Sequence, residues 1–135
     1  KMQQVFDRFA KELLRFIEKA VAYDVNLISY ADSSGSLNIL GPKNMEYMVE
    51  HFTYPFLKQA EKIAAGKAQI CLCPKTSYAL LGTEKMEWAD LPVDGSMPYV
   101  DAILSVREQA TLTGQMCIKN TGYTVEGSVK AVRLL

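Results

Sequence analysis

An excess of charge of one sign is the first thing this sequence lacks: its 15 lysines and arginines equal its 15 aspartates and glutamates. With no net charge and no basic block, nothing concentrates a phosphate polymer by long-range attraction, so no nucleic-acid partner is expected. Long apolar runs are also missing. None approaches the roughly 20 residues of a membrane-spanning helix, and no membrane partner is expected. Cysteines number three, Cys71, Cys73 and Cys117, an odd count without the even spacing of a secreted disulfide framework, which points to a reducing, cytoplasmic setting. The glycine patterns that cradle nucleotide phosphates, Gly-x-Gly-x-x-Gly and Walker A, do not occur, which disfavours the classical nucleotide folds.

Histidine is equally scarce. His51 stands alone, so any Ser-His-Asp or Cys-His nucleophilic centre must use it. No Gly-x-Ser-x-Gly elbow accompanies it, and a packing role is the expectation. Cys71 and Cys73 have one residue between them, whereas zinc sites space their cysteines by two to four and need four ligands. Only Cys117 and His51 could complete that set, so no metal site is expected and the thiols read as small apolar core groups. Asp90, Asp94, Glu84 and Glu87 form no recognisable acid–base pair; loop aspartates are ordinary turn formers.

What is present suits one domain spanning residues 1–135: 49% of residues are apolar and 22% charged, as in an average globular chain. The chain opens Lys1-Met2, and Met2 is read as the natural start. Val5, Phe6, Phe9, Leu13, Phe16, Ile17, Ala20 and Val21 recur at spacings of three and four, which predicts an amphipathic helix ending near Tyr23–Asp24. Val25–Ala31 reads as a strand, Asp32–Gly35 as a turn and Ser36–Leu40 as a returning strand, together a hairpin that Gly41-Pro42 breaks.

The middle admits two readings. Asn44 to Gly66 fits one helix, but Pro55 would then lie in its interior at a cost of about 3 kcal/mol. The preferred reading places strands at Met45–Met48 and His51–Tyr54 and starts a helix, Phe56–Ala65, after Pro55, with Gly66 closing it. Ala68–Cys73 reads as a strand ended by Pro74. A further strand is expected from Tyr78, a long loop over Ala89–Pro98, and strands at Val100–Val106 (with Val100–Gln109 as a helical alternative) and Ala110–Ile118. Asn120–Gly122 reads as a turn and Tyr123–Leu135 as the last strand. The expected class is α+β, a small antiparallel barrel or curved sheet flanked by two helices.

The segment Ser29-Tyr-Ala-Asp-Ser-Ser-Gly-Ser-Leu-Asn-Ile-Leu-Gly-Pro-Lys-Asn-Met45 resembles the opening hairpin of the pyridoxamine-phosphate-oxidase-like FMN-binding split barrels. Lys58–Cys73, Tyr78–Thr83 and Ala102–Val106 resemble, in order, that family's helix beside the cofactor and two later strands. The likeness implies a split-barrel flavoprotein, an oxidoreductase acting through FMN as a homodimer. Lys43, Asn44, Lys58 and Gln59 would then hold the phosphate, and the strand end from Asn38 to Gly41 the edge of the isoalloxazine. Tyr54 or Trp88 would cover its face. Two other classes fit the element order: a non-enzymatic small-molecule-sensing module of GAF- or PAS-like architecture, and a structural or assembly protein. A continuous helix across Asn44–Gly66 favours the sensor; a strand at His51–Tyr54 favours the barrel.

Overall fold

A computed structural model describes residues 1–31 and 37–135 of the chain. Along it run α1 (Met2–Ala22), β1 (Leu27–Tyr30), α2 (Leu37–Met48), a π-helical turn (Val49–Thr53) and α3 (Tyr54–Ala64). There follow β2 (Gln69–Leu72), α4 (Pro74–Gly82), β3 (Met86–Pro98), α5 (Tyr99–Ser105), β4 (Leu112–Thr113) and β5 (Thr124–Leu134). The class is α+β, as the sequence predicts.

The sheet differs from the expectation. Its order is β1-β2-β4-β5-β3, with β1, β2 and β4 parallel and β5 antiparallel to both neighbours. β1 and β3 are its two edges, so it is an open mixed sheet and does not close into a barrel. The reason lies in the connections. Parallel neighbours need a crossover, and the stretch from Leu37 to Ala64, expected to contribute strands, is helical on both sides of a kink at Gly41 and supplies the one between β1 and β2.

Pro55 is accommodated by an altered helix rather than a break. A proline has no N–H to give to the carbonyl four residues back. Just before it the helix widens, so that Tyr54 N–H reaches Val49 O, five residues back, and Pro55 then occupies the first turn of α3. The strand expected at His51–Tyr54 is therefore the π turn, and the continuous-helix reading holds. The helix ends one residue before the expected Ala65, with Gly66 at φ +74° beyond it. The returning strand Ser36–Leu40 is likewise corrected: Leu37–Leu40 open α2, which kinks at Gly41 (φ 79°, ψ 166°) and resumes at Pro42. The expected turn Asp32–Gly35 lies outside the described residues.

Four further expectations change. Tyr78–Leu81 belongs to α4, whose first helical residue is Pro74, the position a proline best tolerates. Val100–Val106 takes the helical alternative as α5, and the strand at Ala110–Ile118 shrinks to Leu112–Thr113. Ala89–Pro98 makes up most of a long edge strand, Met86–Pro98, and is not a loop. Its prolines, Pro92 and Pro98, sit where the free edge asks for no ladder hydrogen bond. Val93–Gly95 bulge opposite Gly127, and both Gly95 (φ +67°) and Gly127 (φ +76°) adopt left-handed backbone there.

β2 shows how the sheet separates two cores. Ile70 and Leu72 point to the face covered by Ile17 of α1, Phe56, Leu57 and Ala60 of α3, and Leu80 of α4. Cys71, on the opposite side, meets Tyr99, Ala102 and Ile103 of α5 with Val125 and Val129 of β5. All four residues of β2 are buried, the pattern of a strand covered on both faces.

Candidate functional site

Parallel strands end together, and in open sheets of this kind the crevice outside their carboxyl ends is where ligands bind. Here that edge carries Ser29–Ala31 from β1, Leu72–Cys73 from β2 and Thr113–Gly114 from β4, with Cys73 N–H bonded to Tyr30 O at 2.8 Å. A groove of about 500 Å³ opens at the β1 end. Val5, Phe6, Phe9 and Leu13 of α1 form one wall, Ser29, Tyr30 and Ala31 the floor, and Met48 and Phe52 the other wall.

Aromatic rings back this groove. Phe6 lies 5.6 Å from Phe52 and 6.1 Å from Tyr47; Phe52 stacks on Phe56 at 5.7 Å with 6° between planes, and Phe56 meets Tyr30 at 5.6 Å. The π turn matters here, because it sets the angle between Met48 and Phe52 on the same wall. The size is that of sites for small organic ligands, which are mostly apolar with a few polar groups at the edge.

α2, which supplies Met48 to the groove wall, resumes after a kink. Gly41 turns the backbone through positive φ, where a side chain would be strained, and Pro42 starts a new helical run. Lys43 and Asn44 fall in the first turn of that run, where backbone N–H groups favour an anion. From Pro42 to Met48 is about 9 Å along the axis at 1.5 Å per residue.

A second constellation sits under the ends of β2 and β4. Cys71 is buried, with Sγ 4.0 Å from Tyr99 Oη and 3.9 Å from Met116 O. Burial pushes its thiol pKa up, against hydrogen bonds from Tyr99 and Thr113 that lower it. Burial likewise raises the Tyr99 phenol, and the neighbouring Cys71 adds to this. Tyr99 Oη in turn accepts the backbone N–H groups of Gln115 (3.2 Å) and Met116 (3.4 Å), holding the loop after β4 over Cys71. Cys73 is half-buried at the N-cap of α4 and Cys117 is exposed. Both lie near enough to Cys71 to raise its pKa further. In this arrangement Cys71 is a protonated core thiol rather than a nucleophile. Among the described residues no three His, Cys, Asp or Glu side chains gather as metal ligands.

The residues singled out from sequence fall into separate places. Gly41, Lys43 and Asn44 share the kink and first turn just described, with the backbone of Asn38 one turn earlier in α2. Tyr54 and Lys58 are brought together elsewhere: the Lys58 ammonium lies 5.6 Å from the Tyr54 ring, Lys85 lies 5.4 Å from the same ring, and Tyr54 Oη donates to Leu135 O. Glu61, one turn from Lys58, has its carboxyl pKa raised by burial and partly drawn back by that lysine. Gln59 lines a smaller cleft of about 200 Å³ with Gln3, Asp7 and His51. Trp88, on β3, packs edge-on to Tyr78 at 6.3 Å. The His51 ring lies 4.3 Å from Tyr47, tilted 38° to it, and its backbone carbonyl accepts from Gln3.

Phe9, Tyr30, Met48 and Phe52 were not distinguished from core residues by their spacing. The available signal was an excess: α1 carries more apolar positions than one core-facing stripe uses, and Val5, Phe9 and Phe16 remain exposed. No protein-family model, curated protein or solved structure matches the chain.

Proposed function

We propose that this protein binds a flat, ring-bearing small molecule with an anionic tail, FMN being the first candidate. The ring would occupy the groove between α1 and the end of β1, and the phosphate the resumed helix at Lys43 and Asn44. The observation that carries this reading is the aromatic-backed groove of about 500 Å³ at the carboxyl end of the parallel strands. The charged turn at Lys43 lies on the helix that forms one groove wall, which suits a ligand with a ring at one end and an anion at the other.

Any redox chemistry would belong to the cofactor, with the chain supplying shape and orientation. A second reading, a binding or sensing module without chemistry, is favoured by the lining itself. Apart from Ser29 and Tyr30 the described walls are apolar, and they present no acid–base pair. Titration of the purified protein with FMN and with riboflavin, followed by flavin fluorescence, tests both readings. Saturable quenching by both, with Lys43→Glu weakening FMN at least tenfold more than riboflavin, is the expected result. Absence of saturable binding by either ligand removes FMN as the candidate. Binding without reduction by dithionite-independent donors such as nicotinamide dinucleotides supports the sensing reading.

A further inference from the structure

We infer that the groove continues towards the core as a subsite for a short hydrocarbon chain, so that its ligand is an anionic ring compound bearing an alkyl substituent of about four carbons. This rests on reading the groove as a ligand site, though not on FMN as its occupant. The groove does not stop at Leu13. A smaller recess of about 120 Å³ shares Leu13, Ser29 and Tyr30 with it and runs on between α1, β1 and α3. Beyond that junction it is lined by core residues, among them Ile17, Ala60 and Ile70, which are 5%, 0% and 1% exposed.

Packed interiors leave few gaps larger than a water molecule, and the sequence accounts for this one. Phe56 and Ala60 stand four residues apart, on the face that α3 turns to the core. Ala60 supplies only a methyl group there, where a longer side chain would fill the space. Phe16, largely exposed, borders the same recess, and a chain lying in it gives that ring an apolar neighbour.

Chemistry and size decide the occupant. Among the described lining residues only Ser29 and Tyr30 carry polar side chains, and both belong to the junction with the groove. Past the junction the hydroxyls of a ribityl-like chain would find no side chain to bond, and a space with so few polar partners does not hold water. An apolar cavity of roughly 150 Å³ accepts benzene, so the recess, at about 120 Å³, falls short of a second ring. At about 30 Å³ for each water-sized group it has room for about four methylenes. The groove outside it, at about 500 Å³, takes the ring.

Calorimetric titration with para-n-alkylbenzoates, from methyl to octyl, tests the inference on wild type, Ala60→Leu and Ile28→Phe, with circular dichroism confirming each fold. Ala60→Leu extends a side chain into the recess from α3, and Ile28→Phe does so from the edge strand β1, where Ile28 is only half-buried. Wild-type affinity should rise about fourfold per methylene, the worth of burying one, and level off beyond butyl. In either folded variant the ratio of butyl to methyl affinity should fall at least tenfold. If neither variant folds, the chain-length profile of wild type decides by itself. A rise that runs unbroken to octyl marks adsorption on open surface and overturns the inference, as does a gain that the folded variants retain. Benzoates or flavins that bind with no gain from the chain overturn this inference and leave the groove reading standing. Binding of no probe at all, flavins included, removes both.

Discussion

Thr113 donates its hydroxyl to Gln69 Oε1 at 3.2 Å, and both side chains are fully buried between β2 and β4. The same amide gives its two hydrogens to Ile103 O (2.9 Å) and Ala110 O (3.0 Å). One glutamine thus ties the parallel pair to the end of α5 and to the turn that follows it. Gln69→Leu keeps the volume but orphans two carbonyls and a hydroxyl in the core. It is expected to cost about 3 kcal/mol, read as a lower urea midpoint at unchanged slope.

Gly114 is fixed by proximity. A Cβ at this position would lie 2.1 Å from Ser77 Oγ and 3.1 Å from Leu72 Cβ, and Ser77 Oγ donates to Gly114 O at 2.9 Å. Gly114→Ala should therefore destabilise by about 2 kcal/mol, through overpacking and the displaced hydrogen bond. In a Ser77→Ala background the same substitution should cost measurably less, because the nearest clash has gone. Additive effects in the double-mutant cycle would contradict this account.

The three thiols should separate by access. Cys117 is exposed, Cys73 half-buried and Cys71 buried with its pKa raised. A disulfide reagent at neutral pH is expected to modify Cys117 first and Cys73 more slowly, and to reach Cys71 at the rate of opening. Peptide mapping after timed quenching reads the order. Early labelling of Cys71 would mean that the loop held by Tyr99 does not stay closed.

Alkaline stability follows from the same pair. The pKa values of Cys71 and Tyr99 are both raised in the folded state, chiefly by burial. Their contribution is complete below the unfolded values, near 9 for the thiol and 10 for the phenol, and declines above them because only the unfolded chain releases the protons. The slope approaches about 1.4 kcal/mol per pH unit for each group. Urea midpoints measured from pH 8 to 11 should hold until about pH 9 and then fall, and Tyr99→Phe should flatten the upper part of the curve.

Legibility from sequence tracked how local each cause was. α1, β2 and β5 follow from periodicity and from Pro74 and Gly66 as punctuation, and they stand within a few residues of expectation. The failures at Ser36–Leu40, His51–Tyr54 and Ala89–Pro98 share a cause: each turned on how a proline or glycine would be tolerated. Pro55 is absorbed by a wider helical turn, Pro42 by a kink at Gly41, and Pro92 and Pro98 by an edge position. None of these solutions is visible without the neighbouring chain. The candidate site was legible only in fragments, since Lys43 and Asn44 belong to one short segment whereas the groove joins α1, β1 and the π turn.

The place of β5 has a consequence for synthesis. This strand, Thr124–Leu134, lies between β4 and β3, and its pairing with β3 spans from Met86 to Leu134. Until it has left the ribosome, β3 and β4 have no common neighbour, and the valines at 125, 129 and 132 are missing from both cores. The emerging chain therefore holds two half-built layers with open edges, and their closure waits on one late segment. Chaperone occupancy on nascent chains should accordingly persist through the codons for residues 86–123 and fall once β5 clears the exit tunnel.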